Sequence, residues 1–336
     1  MTTLAQRNLT LADWAKRLDP DGSTTTSALV EILNQTNTIL DDAVFVTGNL
    51  PTGHRVVIRT GLPTVYWRTL NKGVPTSKST TATVDEACGM LEAYSEVDID
   101  LAKLNGNTAA FRLSEDVAFI EAMNQEMAKT LFYGNPATKP ETILGLAPRY
   151  SSLAAGNAQN IIDAKGTGTD NTSIWLVVWS DNTVFCPFPK GSEVGLQHRD
   201  LGEHTVEDAD KGKFQAYRSH YQWKTGLAVK DWRYVVRIAN IDISNLKDET
   251  SAANLAKLMA KAMFKIPNLA MGRAAFYMNR SVASELPIQG FNISTPGVVK
   301  VQEALDQFGR GIFNMTFLGL PIRINDAILN TEARVV

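Results

Sequence analysis

His198 and His204 are the most closely spaced histidines of the chain, and Asp200 and Glu203 lie between them. Imidazole and carboxylate groups are zinc ligands, and His220 offers a distant third, but no Cys lies nearby to complete such a set. The polar segment from Lys190 to Lys213 that holds them reads more simply as a solvated charged loop, whose role the sequence leaves open. Within it, His198-Arg199-Asp200-Leu201 reproduces the first letters of a protein-kinase catalytic loop. The Asn expected downstream is absent, and no Gly-rich loop, lysine strand or Asp-Phe-Gly accompanies it. Gly73-Val-Pro-Thr-Ser-Lys78-Ser79 approaches a phosphate loop but lacks the second glycine and carries its lysine one position early. Gly166-Thr-Gly168 opens a dinucleotide fingerprint whose third glycine position is Asn171, and it follows a loop where a strand is required. Glu92, Glu96, Asp98 and Asp100 could suggest a divalent-cation site or a general acid/base pair. They lack a Gly-kinked ligand loop and a neighbouring histidine, so they read as a solvated or subunit-facing strand surface. No catalytic residue, cofactor or metal ligand is expected, and the chain does not read as an enzyme.

The elements that carry these residues are more informative than the residues themselves. Leu91, Ala93, Val97, Ile99 and Leu101 alternate with Glu92, Tyr94, Glu96, Asp98 and Asp100, which predicts a strand with one apolar and one acidic face. Upstream, the tract from Ala43 to Val84 contains no Asp or Glu, while Arg55, Arg59, Arg68, Lys72 and Lys78 are all present. Strand-like runs at Arg55 to Arg59 and Thr64 to Thr69 between glycines and prolines predict a protruding two-stranded loop with a cationic surface. Residues 1–48 hold two short amphipathic helical patterns, around Leu11, Trp14 and Leu18 and around Leu29, Ile32, Leu33 and Leu40, separated by Asp19 to Gly22. They are too small to form a core and predict an extended arm.

From Ser114 the spacing predicts a long helix over about 114–133. Ser114 is the expected N-cap, Glu115 and Asp116 favour the positive end of the helix dipole, and Val117, Ile120, Met127 and Leu131 recur at helical intervals. About twenty residues make a rod of roughly 30 Å. Gly134 should stop it, and a Pro/Thr loop leads to Leu144-Gly145-Leu146. Residues 151–310 read as a separate α/β unit. Ile174 to Ser180 and Thr183 to Phe188 flank Asp181-Asn182 as a hairpin, and Trp232 to Ile243 and Ala274 to Met278 are further strands. One helix is expected from about Ser251 to Phe264, ending before Pro267. A second should be capped by Thr295 with Pro296 in its first turn, carry Val298, Val301, Leu305 and Phe308, and stop at Gly309. The aromatics Tyr217, Tyr221, Trp223, Trp232 and Tyr234 read as core or interface residues at strand spacing. Residues Met315 to Leu329, MTFLGLPIRINDAIL, join two strands at a Gly319-Leu-Pro321 corner.

Composition agrees with a folded structural protein: 336 residues can bury a large core, and 44% hydrophobic with 20% charged content suits a soluble chain. The first residues lack a basic n-region and an apolar core, and no apolar run approaches the roughly twenty residues of a membrane span, so cytoplasmic synthesis is expected. Cys88 and Cys186 are the only two cysteines and read as free buried thiols. A net charge of −2 argues against a dedicated nucleic-acid binder.

The helix ending in Gly-Asn, the Gly-Leu turn after it and the closing corner together resemble the major capsid proteins of tailed bacteriophages of the Hong Kong 97 type. The blocks LPTGHRVVIRTGLPTVYWR and LFYGN…LGLAPRY are similar to the coat proteins of epsilon fifteen-like short-tailed phages. The resemblance implies an α+β Hong Kong 97-type capsid fold. It would comprise an N-terminal arm (1–48), an extended β-loop (49–85), a peripheral domain with the spine helix (86–150), an axial α/β domain (151–310) and C-terminal strands returning to the peripheral domain (311–336). It further implies self-assembly into pentamers and hexamers of an icosahedral virion head that encloses double-stranded DNA, contacted non-specifically, with assembly in the host cytoplasm. Portal and scaffolding proteins, and a cement or decoration protein, are the partners it implies; no membrane is. The Hong Kong 97 prototype also cross-links its subunits through a lysine of this loop, where Lys72 and Lys78 lie, but no acceptor can be identified. A bacterial nanocompartment shell of the same fold and, from another class, an α/β enzyme are the alternatives. For the contacts between subunits, the expectation is that Arg55, Arg59, Arg68, Lys72 and Lys78 of one subunit meet an acidic surface of the next. That surface would be made of Glu92, Glu96, Asp98 and Asp100 with Glu115, Asp116, Glu121 and Glu126.

Overall fold

Every residue of Asn171–Trp179 is buried, so this apolar run must be covered on both faces. Its side chains divide by parity: Ile174, Leu176 and Val178 enter one apolar cluster, and Trp175, Val177 and Trp179 enter another. The strand is thus the partition between two cores, and the rest of the architecture follows from what fills each.

The computed structural model describes residues 35–104, 108–207, 211–247, 252–292, 299–305 and 311–336. In chain order the strands are β1 (Phe45–Thr47), β2 (Gly53–Gly61), β3 (Thr80–Asp98), β4 (Ile161–Asp163), β5 (Asn171–Trp179), β6 (Val184–Phe188) and β7 (Leu196–Glu207). They continue with β8 (Lys213–Gly226), β9 (Ala228–Val229), β10 (Val235–Asp242), β11 (Arg273–Met278), β12 (Val299–Leu305), β13 (Gly311–Phe317) and β14 (Leu320–Ile324). By their contacts the described residues group into two units. The larger comprises Thr36–Gly89, Ala128–Ser192 and Thr225–Val336; the smaller takes Gln35, Met90–Met127 and Glu193–Lys224.

In the larger unit a mixed sheet runs β1-β6-β5-β11-β14-β13-β12, with β10 on β5, β4 on β10 and β9 on β6. The first core is closed by the helix Leu255–Lys265, which buries Leu255, Met259 and Ala262, and by Arg280–Asn292, which buries Val282, Ala283 and Leu286. Asn254 caps the former, its Oδ1 accepting the Lys257 amide at 2.9 Å, so that helix begins later than the expected Ser251. The latter was not expected, because Pro287 inside it is a helix breaker by sequence. The second core takes Ala128, Leu131 and Phe132 from the end of the long helix, together with Leu146 and Tyr150.

Several sequence expectations are corrected. The long helix runs Thr108–Tyr133, 26 residues or roughly 39 Å at 1.5 Å per residue, so Ser114 is interior and its hydroxyl donates to the Phe111 carbonyl instead of capping. Glu115 and Asp116 therefore lie beyond the first turn. Thr64 to Thr69 is not a strand; the partner of β2 is β3, in a register from Gly53↔Ala87 to Gly61↔Thr80. The acidic alternation ends at Asp98, whose carboxylate caps a short helix at Ile99–Lys103. Asp181-Asn182 does not fold β6 back on β5: the two meet at Trp179↔Val184, and β6 runs parallel to β1. The segment read as a charged loop holds β7, paired along its length with β8. Val301 and Leu305 lie on β12, which pairs antiparallel with β13, so the expected helix is a strand there; Thr295, Pro296, Val298, Phe308 and Gly309 lie outside the described residues. Spacings of three and four alone cannot separate a capped helix from a strand that gains a partner. The arm patterns around Leu11 and Leu29 also lie outside, apart from Ile39–Asp42, a short helix with Ile39 fully buried.

At the Gly319 corner, Leu318 (φ +47°) and Gly319 (φ +87°) form a two-residue turn joining β13 and β14 through Phe317↔Leu320. Positive φ at both central positions is the hairpin turn whose twist matches paired strands.

Candidate assembly surface

Within the larger unit, β2 and the first half of β3 form the hairpin of the acid-free tract. Arg55 grips Asp85 through two bonds, Nε to Oδ1 at 2.6 Å and Nη2 to Oδ2 at 2.7 Å, and that carboxyl is held below its ordinary value chiefly by this hydrogen bond. The hairpin base is fixed by Arg149 and Glu86, paired at 2.6 and 2.7 Å; Arg149 Nη2 also donates to the carbonyls of Leu144 and Leu227. Sequence reasoning missed this pair, although Glu86 is one of the first two acids after the basic tract and Arg149 lies in the quoted LGLAPRY block.

Beyond Gly61 the loop presents apolar side chains to solvent: Trp67 is fully exposed, and Leu62, Val65 and Leu70 are more than four-fifths exposed. The tip is nevertheless held in shape. Arg68 Nε donates to the Lys72 carbonyl at 3.1 Å, the Ser77 hydroxyl donates to the Thr64 carbonyl at 2.7 Å, and Asn71 takes a left-handed turn conformation. Arg59, Lys72 and Lys78 are exposed on the same segment.

In the smaller unit the acids of β3 face β8. Glu96 pairs with Arg218 at 3.2 Å, Glu92 lies 3.6 Å from His220 and accepts from Gln222, and Tyr94 is stacked between the His220 ring and the Arg218 guanidinium. Asp98 is spent on its helix cap, and Asp100 is exposed. On the long helix, Glu121 accepts from the Gln35 amide and from Gln125 Nε2, at 2.9 and 2.8 Å. Glu115, Asp116 and Glu126 are half-buried. The same helix carries Leu113, Val117 and Ile120 exposed, whereas Met123 and Met127 are buried. Val117 and Ile120 share the helical spacing of Met127 and Leu131, yet among the described residues they are exposed where those two are buried.

The enzyme-like residues are absorbed by structure. His198 stacks on Tyr221, and Asp200 holds Arg112 at 2.7 Å and the Gly202 amide at 2.8 Å. A Cβ at Gly166 would meet the Asn240 carbonyl oxygen at 2.4 Å, so this glycine serves close packing. Among the described residues no group of three His, Cys, Asp or Glu side chains could hold a metal ion, and no helix is long and apolar enough to cross a membrane. Cys88 and Cys186 are free, and burial pushes their thiols up to about 11 and about 12.

A long helix capped by a glycine turn, a mixed sheet between two cores and an extended basic hairpin define a shell subunit of the Hong Kong 97 capsid type, an α+β fold. The model of the family described as major capsid protein GP7 matches residues 19–336, and the chain belongs to that family. The solved structure of bacteriophage Epsilon15 is 31% identical with a TM-score of 0.78, covering 100% of this chain and 99% of that one. The bacteriophage JBD30 capsid is 9% identical at a TM-score of 0.49, covering 92% and 99%. The holo-SrpI encapsulin complex from Synechococcus elongatus PCC 7942 is 10% identical at 0.43, covering 69% and 96%. The last two likenesses are too weak to bear on function. No curated protein matches the chain.

Proposed function

We propose that this major capsid protein builds the pentamers and hexamers of an icosahedral phage head around double-stranded DNA, with a purely structural role. The observation that carries the reading is the family match over residues 19–336 together with the full-length likeness to the Epsilon15 structure. Residues 1–48 act as the arm, 49–85 as the extended loop, 86–150 as the peripheral domain, 151–310 as the axial domain and 311–336 as its return. Assembly takes place in the host cytoplasm with scaffolding and portal proteins, a cement or decoration protein is a further partner of the finished head, and the packaged DNA is contacted non-specifically.

Between subunits, the basic loop meets the acidic surface of a neighbour. Arg55, Arg59, Arg68, Lys72 and Lys78 act toward Glu92, Glu96, Asp98, Asp100, Glu115, Asp116, Glu121 and Glu126, and in-chain partners such as those of Arg55, Glu92, Glu96, Asp98 and Glu121 weaken the individual contacts. Many such contacts, individually weak, become strong through multivalency. Electron microscopy of the protein expressed with its scaffold tests the reading: shells or capsomers are expected, and a monodisperse monomer under every condition overturns it. Charge reversal at Arg59 or Arg68 should lower particle yield while the isolated subunit stays folded; unchanged yield removes the charge contacts from the account.

A further inference from the structure

The helix Leu255–Lys265 has two faces of opposite chemistry. Leu255, Met259 and Ala262 are buried in the first core, while Lys257, Lys261 and Phe264 are exposed on the other side at i, i+4 and i+7, with Lys265 beside them. Lys265 Nζ donates to the Gln159 carbonyl, which fixes the end of the row. Lys257 and Lys261 form neither a hydrogen bond nor an ion pair among the described residues. Between Glu249 and Glu285 the sequence has no acid, so nothing on this helix or on β11 after it neutralises the lysines. The result is a compact cationic face on a chain whose net charge is −2.

We propose that this face, through Lys257, Lys261 and Lys265, contacts the phosphate backbone of the enclosed double-stranded DNA. The inference rests on the capsid reading above and names the residues that meet the duplex. From Lys257 to Lys265 the helix rises roughly 12 Å. A duplex carries one negative charge per roughly 1.7 Å of its axis, so several phosphates come within reach of the three ammonium groups. Lysine is a point charge without the bidentate fork of arginine, which suits attraction to a backbone of any sequence. A lipid surface would need a free apolar face, and this helix has its own in the core. A protein partner would favour a contiguous apolar patch, whereas Phe264 is the one strongly exposed apolar side chain of the helix.

The test is binding of a short random-sequence DNA duplex to the unassembled full-length subunit over a range of salt. Lys257→Gln/Lys261→Gln should bind about ten-fold more weakly than wild type at low salt, and its plot of log affinity against log salt should be shallower by about 1.8. Lys257→Arg/Lys261→Arg should keep the wild-type slope. Lys190→Gln/Lys213→Gln makes the same change in net charge at exposed positions off the helix and should also keep it. The melting temperature of each variant should match wild type, because none of the substituted lysine side chains makes a hydrogen bond or ion pair among the described residues. A wild-type subunit that does not bind the duplex at low salt overturns the inference, as does an equal loss from the two glutamine pairs. A helix variant that binds DNA like wild type but forms fewer particles would assign the face to a protein contact, and overturns it too. The binding assay needs no shell, so it can fail while shells still form; wild-type protein that never forms shells fails the capsid reading instead.

Discussion

Arg237 Nη2 lies 2.7 Å from Glu332 Oε2, with the two side chains 5% and 4% exposed, and Arg237 stands in a strand whose every residue is buried. The guanidinium also donates to the Ser173 hydroxyl at 3.0 Å and the Tyr150 carbonyl at 2.8 Å, and it lies over the Trp175 ring. Glu332 accepts in addition from the hydroxyls of Tyr133 and Ser173. Burial first, then the Glu332 charge, push the Tyr133 phenol well above its ordinary value, so it stays a donor. The pair ties the C-terminal segment to the end of the long helix and to β5 and β10, all within the larger unit.

Removing one partner leaves the other charge buried without its counter-ion, which costs about 3–5 kcal/mol. Glu332→Ala should therefore lower the melting temperature of the unassembled subunit by on the order of 10 °C. Arg237→Met/Glu332→Leu should recover much of that loss, since an apolar pair replaces both charges at once. Calorimetry of the three proteins decides it; a single variant that melts with wild type would show the pair to be idle.

Gly145 donates its amide to the Gly134 carbonyl at 2.8 Å, closing the loop that follows the long helix. A Cβ at Gly134 would lie 2.3 Å from the Ile143 carbonyl oxygen and 2.7 Å from that of Thr130, both backbone atoms that cannot step aside. Gly134→Ala should cost about 1–3 kcal/mol through overpacking, against a few tenths for Ala137→Gly in the neighbouring exposed loop. Denaturant melts of both variants measure the contrast, and equal midpoints would remove the steric account.

The sequence carried the features that need no partner to be recognised. The apolar run of β5, the stop at Gly134, the lysine-rich amphipathic helix before Pro267 and the corner at Gly319 are local signals, and each is present. What it hid depends on tertiary context. The burial of Arg237 could not be read, because its acid lies 95 residues away. β7 looked like a loop because its alternation is polar on both sides, and β12 looked like a helix because its strand partner arrives only with β13. Val117 and Ile120 share a helical period with Met127 and Leu131, and periodicity says which residues share a face, not what covers it. For the candidate surface, the basic tract was legible as charge; the apolar tip was visible as residue types only, and the in-chain partners of Arg55, Glu92 and Glu96 were not visible at all.

Leu318 holds φ +47° in the β13–β14 turn while its side chain is half exposed, so the site carries backbone strain with little burial in return. Asn tolerates this conformation better than Leu. Leu318→Asn should stabilise the unassembled subunit by about 0.5–1 kcal/mol, and Gly319→Val should destabilise it by more than that. Chemical denaturation reads both signs. Leu318→Asn that stabilises the subunit but lowers particle yield would assign the exposed leucine to a subunit contact.

The ion pair of Arg112 and Asp200 gives the smaller unit a defined response to acid. Hydrogen bonding from Arg112, then from the Gly202 amide, holds the Asp200 carboxyl below its ordinary value of 3.8. A carboxyl whose folded value lies below its unfolded one contributes stability that is whole above the unfolded value and is lost as the pH falls through the folded one. The contribution should therefore be intact at neutral pH and fade below about pH 4. Asp200 is half exposed, so solvent screens the pair and the effect is modest. Asp200→Asn keeps an acceptor for the Gly202 amide and removes the titration. Its melting temperature should sit slightly below wild type at pH 7, and the two curves should converge as the pH is lowered through 4 toward 2. Parallel curves across that range would mean that the Arg112 contact does not shift the Asp200 equilibrium, and the acid response would have to come from other carboxylates such as Asp85 and Asp231.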